Sequence, residues 1–165
     1  EDDAKAVYWY RKAAEQGYMD AQYNLGMAYR KGEGVPEDDA KAVYWYRKAA
    51  EQGDVDAQYN LGSMYDNGEG VSEDDAKAVY WYRKAAEQGY VDAQYNLSLM
   101  YANGEGVPKN NVQAYAWWSI VAAQGDEDAK KNKDIVKKRM TPAQIAEAKK
   151  LSSALWEKYV VPFQK

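Results

Sequence analysis

Two neighbouring carboxylates recur in this chain at a fixed interval: Asp2 and Asp3, Asp38 and Asp39, Asp74 and Asp75. A close acidic pair is a side-chain set that general acid and base hydrolysis uses. Nothing beside these pairs completes such a site. The chain has no histidine and no cysteine, which removes thiolate nucleophiles, disulfides, the usual zinc ligands and the side chain that titrates near neutral pH. No serine opens an S-x-x-K motif. Each acidic pair also stands at the start of a helix-forming run, where negative charge caps the helix and complements its dipole. Capping accounts for the carboxylates, so no catalytic residue, cofactor site or metal site is expected.

The elements that carry these pairs are copies of one another. EDDAKAVYWYRKAAEQG occurs unchanged at residues 1–17, 37–53 and 73–89, a period of 36 residues. A period of that length predicts an all-α solenoid of stacked units, which offers an extended surface for binding. With 46% hydrophobic and 29% charged residues the composition is globular and argues against disorder. Residues 1–125 carry a net charge of −8 and residues 126–165 one of +4. An acidic array repels phosphates, so nucleic acid is not an expected partner. The longest uncharged stretch, Asn110 to Gly125, is broken by Asn and Gln and is too polar for a membrane span. Glu1 falls inside a repeat, which reads as a piece of a longer polypeptide, and the compartment is not legible.

In the second copy, Gly34 and Pro36 break the chain, Asp38 is the expected N-cap, and a helix runs through Gln52 to Gly53. Ala42, Trp45, Tyr46, Ala49 and Ala50 form its apolar stripe, with Lys41, Arg47, Lys48 and Glu51 on the other side. A shorter helix follows, with apolar Ala57, Leu61 and Tyr65 and a turn at Asn67 and Gly68. Gly26 and Gly62 sit inside two short helices and Ser98 takes that place in the third, which predicts a steric limit set by close packing. In the fourth long helix Ser119, Ile120 and Ala123 replace Arg47, Lys48 and Glu51, so a wet face has turned apolar. The segment from Thr141, with a capping box of Thr141 and Gln144 and Pro142 in the first turn, is the expected cover.

The pattern of Ala21, Leu25, Gly26, Tyr29, Gly32, Gly34, Val35, Asp38, Lys41, Ala42, Trp45, Tyr46, Lys48, Ala49, Ala50, Gln52 and Gly53 resembles the Sel-1-like repeat, a relative of the tetratricopeptide repeat with a GxGV turn and a WYxKAAxQG helix. The resemblance covers nearly the whole chain. It implies a right-handed superhelix of antiparallel helix pairs whose short helices line a concave groove, and a role as a protein interaction adaptor or scaffold. Its phase gives one solenoid domain over 1–165: an unpaired long helix at 1–19, repeats at 20–55, 56–91 and 92–127, and a degenerate repeat with a C-terminal cap at 128–165. The ending is similar to those of bacterial members. Cysteine-rich relatives are linked to β-lactams, but their cysteines are missing here.

Near-identical copies act as an internal control, because a position that differs between them is not dictated by the fold. Differences gather in the short helices: Met27, Ser63 and Leu99; Arg30, Asp66 and Ala102; Lys31, Asn67 and Asn103. With the unchanged Tyr23, Tyr59 and Tyr95 they are expected to share one helix face and to line the groove for a peptide or a partner protein. Met27, Ser63 and Leu99 stand where the carboxylate clamp of tetratricopeptide repeats would carry Asn. Trp9, Trp45, Trp81 and Trp117 are expected in the core, and Tyr8, Tyr44 and Tyr80 at its boundary. Lys130, Lys131, Lys133, Lys137, Lys138 and Arg139 read as a solvated cap, with weak head-to-tail self-association against the acidic first repeat as the alternative. A spacer or an engineered consensus array without a dedicated ligand is the rival to the adaptor.

Overall fold

The computed structural model describes residues 2–163, which form nine α-helices, a closing 3-10 turn at Val161–Phe163 and no strand. Long and short helices alternate: α1 (Asp2–Glu15), α2 (Met19–Lys31), α3 (Asp39–Glu51), α4 (Val55–Asn67), α5 (Asp75–Ala86), α6 (Val91–Asn103) and α7 (Asn111–Ala123). They are followed by α8 (Glu127–Lys137) and α9 (Pro142–Tyr159). The architecture is the all-α array of helix pairs that the periodicity predicts. The chain divides into two compact units, one up to Trp81 and one from Tyr82 onward, and the division falls within α5.

In the first unit α1 packs on α2, α2 on α3 and α3 on α4. Asp38 caps α3 by accepting the Lys41 amide at 2.9 Å, and Asp54 caps α4 by accepting that of Ala57 at 2.7 Å. Small side chains let the helices approach while Leu and Tyr fill the spaces between them. Ala42, Ala49, Ala57, Leu25, Leu61 and Met64 are fully enclosed, and Tyr46 is 1% exposed. The glycine expectation holds at Gly26: a Cβ there would lie 2.8 Å from the Tyr46 ring, so the limit is an aromatic side chain rather than a neighbouring backbone. Gly34, at φ 72°, presses on the start of α1, where a Cβ would come within 2.5 Å of the Asp3 carbonyl. Gly70 repeats this approach against Asp39.

The tryptophan expectation needs correction. Trp9 is 67% exposed, Trp45 and Trp81 are half-buried, and only Trp117 is enclosed, at 4%. In the first unit the enclosed aromatic is the next residue along, Tyr46, while Trp45 lies edge-on against Tyr44 with ring centroids 4.9 Å apart. Trp117 differs because α9 covers it, with Tyr159 stacked at 5.9 Å.

In the second unit α7 is the hub, packed by α6, α8 and α9. It is apolar on most of its circumference, with Ala114, Tyr115, Ala116, Trp117, Trp118, Ile120 and Val121 buried. A helix of that kind must be covered on several sides. The cover is α9, whose capping box forms as the sequence predicts: the Thr141 amide donates to Gln144 Oε1 at 2.9 Å and the Gln144 amide to Thr141 Oγ1 at 3.2 Å. Ser119, Ile120 and Ala123 meet Ser152, Ser153 and Trp156 around a small cleft.

Candidate protein-interaction surface

Contacts that recur with the repeat separate architecture from candidate function. Arg11 donates to the Tyr29 hydroxyl at 3.0 Å and Arg47 to that of Tyr65 at 2.6 Å. Lys41 and Lys77 lie over the rings of Tyr29 and Tyr65 at 5.3 and 5.2 Å, each anchored by an ion pair, Lys41 to Asp38 at 2.7 Å and Lys77 to Asp74 at 2.8 Å. These pairs hold both aspartates below the ordinary carboxylate range and raise both lysines, the side-chain hydrogen bond being the largest cause. In the second unit Arg83 donates to the Tyr101 hydroxyl at 2.8 Å, but Gln113 stands in the lysine's place. Buried glutamines form a second recurring set. Gln22 donates to the Ala14 carbonyl at 3.2 Å and accepts from Gln52 at 2.7 Å, and Gln58 donates to that of Ala50 at 3.1 Å. Asp38 and Asp74, the first members of two of the acidic pairs, therefore serve as caps and lysine anchors.

The positions that vary lie on one face of each short helix. On α2, Tyr23, Met27 and Arg30 are half-buried and Lys31 is exposed; on α4, Tyr59, Ser63 and Asp66 are half-buried and Asn67 is exposed. On α6 of the second unit, Tyr95, Leu99 and Ala102 are half-buried and Asn103 is exposed. The fixed tyrosines are tied into the fold. Tyr23 packs 5.7 Å from Tyr46, and burial raises its pKa. Tyr95 accepts a hydrogen bond from Asn132 of α8 at 2.9 Å.

Sequence reasoning missed one participant, the glutamate of the GEGV turn. Arg30 Nη2 donates to Glu69 Oε2 at 2.6 Å, so the basic end of the stripe is partly neutralised. Lys31 lies 4.0 Å from Glu33. In the second unit Asn103 donates to both carboxylate oxygens of Glu105, at 3.2 and 3.3 Å. The identical turns Gly32-Glu33-Gly34, Gly68-Glu69-Gly70 and Gly104-Glu105-Gly106 were the available signal.

Other exposed features are the outer aromatic pairs and the C-terminal cations. Tyr8, Tyr44 and Tyr80 are about half exposed, each edge-on to the following Trp, with Lys12 and Lys48 over the first two rings at 5.8 and 5.2 Å. Along α8, Lys130 pairs with Glu127 at 3.5 Å and Lys131 with Asp128 at 2.8 Å. Among the described residues no helix is long and apolar enough to cross a membrane.

Known proteins share this repeat and this fold. The Sel1 repeat model matches residues 1–18, 20–54, 55–90 and 91–126. No curated protein matches the chain by sequence. Among solved structures, a protective antigen of uropathogenic Escherichia coli with an SLR fold is 40% identical at a TM-score of 0.83, over 94% of this chain and 33% of that one. A Sel1 repeat protein from Oxalobacter formigenes is 35% identical at a TM-score of 0.74, over 89% of this chain and 64% of its own. Cysteine rich protein B of Helicobacter pylori is 30% identical at a TM-score of 0.59, over 78% of this chain and 92% of that one. The chain thus spans about a third and just under two thirds of the first two relatives. With four family matches along its length, the chain belongs to the Sel1 repeat family.

Proposed function

We propose that the chain is an adaptor that binds an extended peptide or a partner's helix along the variable face of its short helices. Sel1-repeat proteins are in general non-catalytic scaffolds for protein interactions, and the chain's membership supplies the class. The observation that carries the location is the contrast between copies: the Arg–Tyr contact recurs at Tyr29, Tyr65 and Tyr101 and the Lys–Tyr contact at Tyr29 and Tyr65, whereas the variable residues gather on the accessible face of each short helix. In the first unit the contact set is Met27, Arg30 and Lys31 with Ser63, Asp66 and Asn67, walled by the half-exposed rings of Tyr23 and Tyr59. The same positions in the second unit, Leu99, Ala102 and Asn103 beside Tyr95, offer a more apolar face.

The test selects peptides from a displayed library on the intact chain and measures their binding to Met27→Glu and Asp66→Lys variants. Both sites accept varied residues in the sister repeats, so the fold should survive. Binding should fall by at least about tenfold, the effect of losing a central contact. Peptides that bind both variants as tightly as the parent would place recognition elsewhere.

A second reading concerns self-association. Among the described residues Lys133, Lys137, Lys138 and Arg139 have no ion-pair partner, so they are available to the acidic first repeat of another copy. The signature would be weak association that salt abolishes.

A further inference from the structure

The outer stripes of the long helices are constant where packing does not require it. On α1 the stripe is Tyr8, Lys12 and Glu15 and on α3 it is Tyr44, Lys48 and Glu51, four and three residues apart and so on one side of each helix. All of them are exposed. Tyr8 and Tyr44 keep 55% and 51% of their surface open, and Tyr80 opens the same stripe on α5 at 52%. The accessible positions of the short helices differ from copy to copy, whereas these do not. Each stripe presents a ring, an ammonium over it at 5.8 Å for Lys12 and 5.2 Å for Lys48, and a carboxylate one turn further on.

The fourth long helix shows what the stripe becomes when a helix lies on it. In α7 the same places hold Ala116, Ile120 and Ala123. Ala116 and Ile120 are buried, and Ile120 and Ala123 meet Ser152, Ser153 and Trp156 of α9. Helix docking therefore goes with small and aliphatic side chains, and Tyr-Lys-Glu is not a seat for a helix, whether of a partner or of a second copy. Identical patches repeated along a stack of units suit a ligand that also repeats, a polymer of identical residues.

We propose that the outer stripes of α1 and α3 bind a neutral polysaccharide of β-1,4-linked pyranoses with equatorial substituents. Such a ring offers a flat face of C–H groups to the electron-rich face of a tyrosine. Its hydroxyls both donate and accept, which suits a stripe carrying a lysine donor and a glutamate acceptor. One cation and one anion leave each stripe neutral, and the acidic repeats around it disfavour a polyanion. A proline-rich peptide fits less well, because its tertiary amides have no N–H for the glutamates.

The probes are the β-1,4-linked dimers and hexamers of glucose and of N-acetylglucosamine, titrated into the intact chain by isothermal titration calorimetry. At least one hexamer should bind saturably and more tightly than its dimer, because the longer chain reaches a second stripe. Tyr44→Ala should weaken the hexamer by about three- to tenfold, the scale of one aromatic contact. Tyr8→Ala combined with Tyr44→Ala should weaken it by about tenfold or more. Alanine stands at this place in α7 and favours helix, so the fold should survive, which circular dichroism checks. Met27→Glu on the short-helix stripe should leave saccharide binding unchanged. No binding of either hexamer at millimolar concentration would overturn the proposal, as would equal binding by the double variant or a loss caused by Met27→Glu. Binding of a proline decamer that Tyr44→Ala removes, with neither hexamer bound, would assign the stripes to a proline-rich partner and equally overturn it.

Discussion

Gly32 and Gly34 flank one glutamate with nearly the same backbone, φ 68° and 72°, yet their surroundings differ. A Cβ on Gly32 would meet the Glu37 amide nitrogen at 3.4 Å, an ordinary contact, whereas one on Gly34 would come within 2.5 Å of the Asp3 carbonyl carbon and oxygen. Alanine in the left-handed region costs about 1–2 kcal/mol. Forcing a methyl group into occupied space adds about 1–3 kcal/mol, and here the occupant is backbone that cannot rotate away. Gly32→Ala should therefore destabilise by about 1–2 kcal/mol and Gly34→Ala by about 2–5 kcal/mol. Urea titrations followed by far-UV circular dichroism measure both, read as midpoints at unchanged slope. Gly70→Ala, placed against Asp39, should match Gly34→Ala. Equal midpoints for Gly32→Ala and Gly34→Ala would refute the claim that the GEGV turn docks on the preceding long helix. With it would fall the account of how Glu69 is set beside Arg30.

The N-caps supply a comparison between copies: Tyr18 caps α2 without a side-chain bond where Asp54 caps α4, so Tyr18→Asp should raise stability by about 0.5–1 kcal/mol in the same titration. Lys41 and Lys77 depress the Asp38 and Asp74 pKa values, so their contribution is complete above the ordinary aspartate value and is lost as pH falls through the lowered folded values. An Asp38→Asn and Asp74→Asn double variant should accordingly show a flatter acid limb in thermal melts between pH 5 and 2, values of the order at which aspartates titrate. Burial raises Asp54 instead, so Asp54→Asn should change the acid limb in the opposite direction. Sedimentation velocity at low and high salt tests the α8 cluster: self-association that persists unchanged in about 0.5 M salt would contradict charge pairing.

Most of the architecture was legible because the sequence repeats it. Three unchanged copies reveal the period, and the apolar swap to Ser119, Ile120 and Ala123 foretells a covering helix, found in α9. Gly26 and Gly62 announced a steric limit whose source, the Tyr46 ring at Gly26, only coordinates reveal. The run Tyr44-Trp45-Tyr46 misled because adjacent helix positions differ by about 100°, and the apolar stripe is wide enough to admit either Trp45 or Tyr46. Which one is enclosed depends on the neighbouring helix. The Arg30–Glu69 pair joins residues 39 apart, beyond any local pattern. Half of its signal, the repeated turn glutamate, was present but carried no direction. The interaction stripe was legible only as variation against constancy, and that locates a face without identifying what it binds.

Site-specific photocrosslinking tests the adaptor account most directly. A photoreactive residue at Ser63 on the variable stripe and another at Tyr44 on the outer face are each exposed to the display-selected peptides. The account predicts crosslinks from position 63 that unlabelled peptide competes away, and none from position 44. Crosslinks confined to position 44 would show that the outer aromatic pairs carry recognition and would contradict the assignment of the short-helix stripe.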